Sequence, residues 1–254
     1  MNVNNIFIFI LIFPLILFSQ IKESNSSSEL LLVKYEHSIH MENLPTATTV
    51  NAFLRVNKYG SIYEMDFLNN SNFQKEEDSE SVAIFAIKPK VNDFIYKNLV
   101  TKDIFSIQRI GMKPFLVRDS DTIFNWTIKN EFEYILGYKS QKATTTHRGR
   151  DYIAYFTTEI EFNNGPWKFG NLPGLILKVF SEDDVFKIVA NEIEIRNTEN
   201  EIENPYIDNI DKSISWEAFT NAYKKKSEEL KHYRSPDGGV RSIPKRGIET
   251  YIED

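Results

Sequence analysis

The sequence predicts a mainly β fold of the α+β class, a curved antiparallel meander sheet or half-barrel with one C-terminal helix packed on it. Three observations predict it. Roughly ten segments of strand length follow one another, joined by short turns with no helical period between them. Aromatic and β-branched residues are abundant, with 19 Phe and 12 Tyr, which suits a pleated, half-buried surface. Only residues 213–233 carry an amphipathic helical pattern, and a single such helix needs a sheet to cover.

The strands are justified in order. Residues 29–40 alternate, with Leu31, Val33, Tyr35 and His37 on one face. Residues 49–56 and 61–67 follow, joined by Asn57-Lys58-Tyr59-Gly60, where Gly60 suits a positive φ. Residues 69–81 read as a polar surface loop, and 82–87 as a compact apolar strand that Pro89 stops. A hairpin of 94–100 and 104–110 turns at Thr101-Lys102-Asp103. Strands 115–118 and 122–128 turn at Asp119-Ser120-Asp121, and two long strands, 132–146 and 152–162, flank a turn containing Gly149. The last hairpin pairs 175–180 with 185–195. Phe186, Ile188 and Ala190 lie on even positions but Ile193 and Ile195 on odd ones, so one extra residue is expected near 190–192.

Residues 197–212 read as an acidic loop. The helix at 213–233 has Ser213 or Ser215 as its cap, a partial stripe of Trp216, Phe219, Tyr223 and Leu230, and cations toward its end. Glycine and proline make 234–254 an irregular tail. The expected organisation is a signal peptide at 1–19, a polar leader at 20–29, one β-rich domain at 30–233 and the tail. The apolar run at 6–18 is short for a membrane span and suits a signal peptide cleaved near Ser19; the alternative is an uncleaved anchor, because 1–5 holds no Lys or Arg.

Composition excludes several functions. A net charge of -6 disfavours a nucleic-acid surface, which needs concentrated positive charge. With no cysteine there is no disulfide, thiol nucleophile, thiolate metal site or lipid-modified cysteine. At 41% hydrophobic, the 254 residues can bury a sizeable core.

The densest stretch is 164–179. Gly165-Pro166 breaks the preceding strand, and Trp167 and Phe169, two apart, point the same way in extended chain. Gly170-Asn171 bends the chain. Pro173-Gly174 suits the centre of a type II turn, with Gly174 at the positive-φ position. Leu175, Leu177 and Val179 then alternate inward. The run Gly170-Asn171-Leu172-Pro173-Gly174-Leu175-Ile176, with Gly165-Pro166 upstream, resembles the signature of the GLPGLI family of exported Bacteroidetes proteins. The resemblance covers about 30–195 and includes Ile135-Leu136-Gly137-Tyr138, Gly149-Arg150 and Ala154-Tyr155-Phe156-Thr157. Asn171 and Ser140 depart from it, Ser140 standing where members often carry cysteine. The resemblance implies export, a β-rich fold and an envelope role. It supplies no catalytic residue, cofactor or metal.

Candidate chemistry is sparse. His37 and His40 face opposite ways on a strand, which spoils a shared metal site with Glu36 and Glu42; they read as solvent-side polar residues. The pairs Glu131/Glu133, Glu159/Glu161 and Glu192/Glu194 have the strand spacing of about 7 Å that glycosidases use, but also that of a wet strand face. His147, Asp151 and Ser140 lack a nucleophile elbow. Arg148, Arg150 and the run Lys224–Lys226 are candidates for an anionic partner. The functional expectation is a non-catalytic envelope protein that binds a lipid or peptide ligand in its concavity or docks on an envelope protein. The alternatives are an envelope hydrolase using a carboxylate pair, and an interaction module that adds to a partner's sheet.

Overall fold

The structure is a computed structural model that describes residues 28–40, 47–67, 93–120, 124–198, 202–233, 243 and 247–252. The expected signal peptide and the strand expected at 82–87 lie outside the described residues. The strands are β1 (Ser28–Ile39), β2 (Thr48–Val56), β3 (Gly60–Met65), β4 (Phe94–Asn98), β5 (Asp103–Ile110), β6 (Lys113–Ser120), β7 (Thr127–Ile135), β8 (Tyr138–His147), β9 (Arg150–Thr157), β10 (Leu175–Ser181), β11 (Phe186–Thr198) and β12 (Ile214–Ser215). A 3₁₀ turn (Ile207–Lys212) precedes β12, and the helix α1 (Trp216–His232) follows it.

All twelve strands form one sheet in the order β12-β6-β5-β4-β3-β2-β1-β11-β10-β9-β8-β7. It is two meanders, β1 to β6 and β7 to β11, joined where β1 pairs with β11. The chain passes directly from β6 to β7, which are neighbours in sequence but lie near opposite ends of the sheet. A flat sheet would separate them by ten strand spacings, about 48 Å. The chain from Ser120 to Thr127 can reach about 25 Å at most. The sheet must therefore curl until its ends approach. Asp119 on β6 lies 2.7 Å from Arg148 in the β8–β9 turn, so they meet.

Several expected turns hold. Arg148 and Gly149, both at positive φ, make the β8–β9 turn, and Lys102 at φ 65 makes the β4–β5 turn. The extra residue near 190–192 is Asn191: Tyr35 pairs with Ala190 and Lys34 with Glu192, leaving it between.

Other expectations need correction. The strand expected over 132–146 is two strands, β7 and β8, because Leu136 (φ 51) and Gly137 (φ 86) form a two-residue hairpin turn. Of the strand expected over 122–128, Phe124 and Trp126 stand outside any strand; Phe124 is buried in the core and Trp126, half-buried, stacks on it. The second long strand ends at Thr157 rather than at 162. Gly60 does not use a positive φ. The Asn57 side chain closes that turn by accepting from the Tyr59 and Gly60 amides, and Gly60 is small because the Lys97 carbonyl would lie 3.2 Å from any Cβ.

Ser215 caps α1, its hydroxyl accepting from the Ala218 amide. Phe219 and Tyr223 bury against Val117 of β6 at the sheet's end. The helix packs on the sheet as expected, and within the expected irregular tail Glu249 is buried, at 1% exposed. No helix among the described residues is long and apolar enough to cross a membrane.

His37 shares the inner face with Leu31, Val33 and Tyr35, as the alternation implies, but is fully buried rather than solvent-side. The Tyr63 hydroxyl lies 3.0 Å from its Nδ1. Burial pushes its pKa down to about 3 from 6.5, so it is neutral in the folded chain. Between those values the unfolded chain binds more protons, so this contribution is complete above pH 6.5 and declines as pH falls toward about 3. Urea unfolding at intervals from pH 7 to 4 is expected to show stability falling with pH, and His37→Gln is expected to flatten that slope.

Candidate functional site

The site is built around the corner between β9 and β10. The chain leaves β9 at Thr157, enters the curl of the sheet and returns at Leu175. The Phe169 amide donates to the Pro166 carbonyl, closing a turn that holds Trp167 at φ 52. Trp167 and Phe169 pack together as expected, with ring centroids 5.0 Å apart, but across a turn rather than along extended chain. Phe169 is 0% exposed and lies 4.9 Å from Phe124, 5.3 Å from Tyr152 and 5.9 Å from Phe186, centroid to centroid. The Trp126 indole donates to the Gly170 carbonyl. The corner thus plugs the concave side of the sheet with aromatic rings.

The rest of the corner is tied in by backbone. The bend expected at Gly170-Asn171 falls on Asn171, at φ 61, a conformation that asparagine tolerates better than most residues. Leu172 is buried, and its carbonyl accepts from the Gly174 amide, so the turn about Pro173 spans three residues rather than the expected four. Gly174 does have a positive φ, 144, and a Cβ there would lie 2.0 Å from the Thr157 carbonyl oxygen. Leu175, Ile176 and Leu177 are all buried, because a register shift against Tyr155-Phe156 interrupts the alternation. The Tyr35 hydroxyl donates to the Ile176 carbonyl at 2.8 Å.

Two buried lysines hold this corner, and sequence reasoning singled out neither. Lys97 of β4, 2% exposed, donates to Asn164 Oδ1 and the Gly165 carbonyl, each at 2.9 Å, and to the Phe169 carbonyl. Lys168, between the two aromatics, points the other way. Its Nζ lies 2.9 Å from Asp119 Oδ2 and 2.6 Å from Glu249 Oε2. Arg148 completes the cluster, bonding Asp119 at 2.7 Å and Glu249. Its guanidinium sits 3.7 Å from the centroid of the Trp216 ring. Two cations thus meet two carboxylates, from β6, the β8–β9 turn, the corner and the C-terminal segment. Burial pushes the Asp119 carboxyl up, but Lys168 and Arg148 outweigh it and hold the group below the usual carboxylate range. His147, beside the cluster, is pushed down to about 4 by burial and by the neighbouring cations Arg148 and Lys168.

This geometry corrects several candidates. Arg148 and Arg150 are both engaged within the chain. Arg150 donates to the Gly247 carbonyl at 2.7 Å and lies 3.3 Å from Asp183. Ser140 bonds the Tyr138 carbonyl and Asp151 bonds Thr146, so neither joins His147. Glu131 pairs with Lys142, Glu133 with Lys178, and Glu159 accepts from the Lys139 amide. Glu159, Glu161, Glu192 and Glu194 are exposed, and Glu192 and Glu194 line, with Glu64, Lys34 and Arg55, one hollow on the sheet. Lys226 pairs with Glu229 on the open side of α1. Glu42 lies outside the described residues. Among the described residues no His, Asp and Glu cluster is placed to hold a metal. Two hollows of about 350 Å³ lie on the outer face of the sheet, one over Phe53 and Arg55 and the other over Phe180 and Lys178.

No family model matches the chain, and no curated protein does. Among solved structures it is similar to two crystal forms of PNGF-II, with TM-scores of 0.48 and 0.49 and identities of 14% and 13%. Each match covers 78% of this chain and 32% or 34% of the other, so the chain spans about a third of PNGF-II's length. It is also similar, at a TM-score of 0.27 and 10% identity, to a Vibrio parahaemolyticus domain provisionally assigned to outer membrane lipoprotein sorting. That match covers 71% of this chain and 90% of the domain. Likenesses this distant transfer no chemistry.

Gly174→Ala must displace backbone, so chemical denaturation is expected to show a loss of about 3 kcal/mol or more. Gly137→Ala, also at positive φ but with nothing within 4 Å, is expected to cost only about 1 kcal/mol. Lys97→Met strands three buried acceptors and is expected to cost about 3 kcal/mol by the same measurement, with Lys225→Met, exposed on α1, as a control near zero.

Proposed function

We propose that the chain is an exported envelope protein of the GLPGLI type, delivered by residues 1–19, that docks an envelope partner through side chains on its outer rim and carries no lipid in its concavity. The observation that carries this reading is the plugged interior. Phe169 and Trp167 occupy the space a lipid would need, and their rings already have aromatic partners. The apolar run at 6–18 and the motif at 170–176 support the export and family parts.

The rim lies on β7. Ile128, Phe132 and Tyr134 share one face there, and Tyr134 is 74% exposed. An exposed row of this kind suits a contact surface. Adding a strand to the partner's sheet is the weaker alternative. The β7 edge carries a register shift between Ile128 and Phe132, with Lys129 and Glu131 in the interval, a pattern that blunts edge pairing. At the other end, β12 has two residues and is packed by α1.

Protein purified from its native envelope is expected to yield no stoichiometric lipid by mass spectrometry of organic extracts. The double variant Phe132→Ser, Tyr134→Ser is expected to keep its melting temperature within about 2 °C yet lose co-fractionation with envelope complexes. Stoichiometric lipid, or unchanged co-fractionation, contradicts the reading.

A further inference from the structure

Residues 247–252 are held as a groove holds a peptide. Two of their backbone carbonyls are read by side chains from β9: Arg150 donates to Gly247 and the Tyr152 hydroxyl to Ile248, at 2.7 and 3.0 Å. Two side chains two positions apart serve as anchors. Glu249 takes Lys168 and Arg148. Tyr251 enters an aromatic floor, its ring centroid 4.8 Å from Tyr223 and 5.9 Å from both Trp216 and Phe219, with its hydroxyl 3.5 Å from Gln108 Oε1. Backbone carbonyls fix direction whatever the sequence, and an acid and an aromatic at fixed spacing supply selectivity. This is the division of labour in peptide recognition.

The charges suit an acidic visitor. Without Glu249, half-buried Arg148 and buried Lys168 would face Asp119 alone, two cations against one carboxylate. Arg150 is buried, and its Nε and one Nη have no hydrogen-bond partner although Asp183 is 3.3 Å away. Arg150 Nε is thus ion-paired with Asp183, and Nη2 has no hydrogen-bond partner among the described residues.

We infer that this socket is a binding site for an acidic peptide of the form Glu-x-Tyr, occupied in cis by the chain's own C-terminal segment. It is distinct from the β7 rim and stands or falls separately. A partner presenting a matching acidic, aromatic segment competes with residues 247–252 for it.

The test uses the full chain. In the double variant E249K, Y251A the segment loses both anchors and sets a lysine against Arg148 and Lys168. A fluorescent peptide of sequence Gly-Ile-Glu-Thr-Tyr-Ile-Glu-Asp is titrated by anisotropy. The variant is expected to bind it with a Kd on the order of 10 μM, and the wild-type chain at least about tenfold more weakly because its socket is full. A peptide with Gln for its first Glu is expected to bind the variant at least about tenfold more weakly. A variant with native circular dichroism and a cooperative melt that takes up no peptide overturns the proposal, as does equal binding of both peptides. If the variant does not fold, hydrogen exchange of the wild-type chain decides. The amides of 249–252 are expected to exchange at least about 100-fold faster than those of β1 and β11, by local release of the segment. Exchange only with global unfolding overturns the proposal.

Discussion

The fold depends on a buried ion cluster that joins the two ends of one sheet. Asp119 closes the first meander; Arg148 and Lys168 belong to the second. A twelve-strand sheet in this order has no backbone pairing to hold β6 near β7. The short connection from Ser120 to Thr127 limits their separation, and buried side chains fix the contact, so each charge needs its partner. Removing any one of the four charged groups leaves the others uncompensated. The Trp216 ring covers Arg148 and lies 4.9 Å from Lys168, which places the start of α1 over the same junction.

The corner turns this closure into a filled interior. Lys97 binds its carbonyls from one side, and Lys168 ties it to the cluster from the other. Between them, Trp167 and Phe169 have little freedom to leave. A loop held at both flanks and packed at its tip is a structural plug, and the surface that remains for recognition lies outside it. The proposed rim on β7 and the proposed peptide socket beside the cluster both lie outside the plug.

Much of the sheet was legible because strands advertise themselves by alternation. The parity switch between Ala190 and Ile193 located the extra residue before any pairing was known. The hairpin at Leu136-Gly137 was hidden, since leucine at its first position looks like strand. The corner was legible as a constrained turn, yet its purpose was not. Lys97 could have been found, because it sits in the inward alternation of β4 beside Ile95. Lys168 carried a weaker signal, a charge between two core aromatics. Glu249 carried none: its partner is 81 residues away, and a glycine- and proline-rich stretch gives no period from which to infer burial.

The account's central claim is that Asp119 and Lys168 hold the sheet's ends together as coupled charges. A double-mutant cycle of Asp119→Asn and Lys168→Met, read by urea unfolding, tests it most directly. A coupling energy above about 1.5 kcal/mol is expected, because the first substitution leaves Lys168 and Arg148 sharing Glu249 alone and the second removes that excess charge. Losses that add to within about 0.5 kcal/mol would mean the two groups act independently, and would contradict the claim.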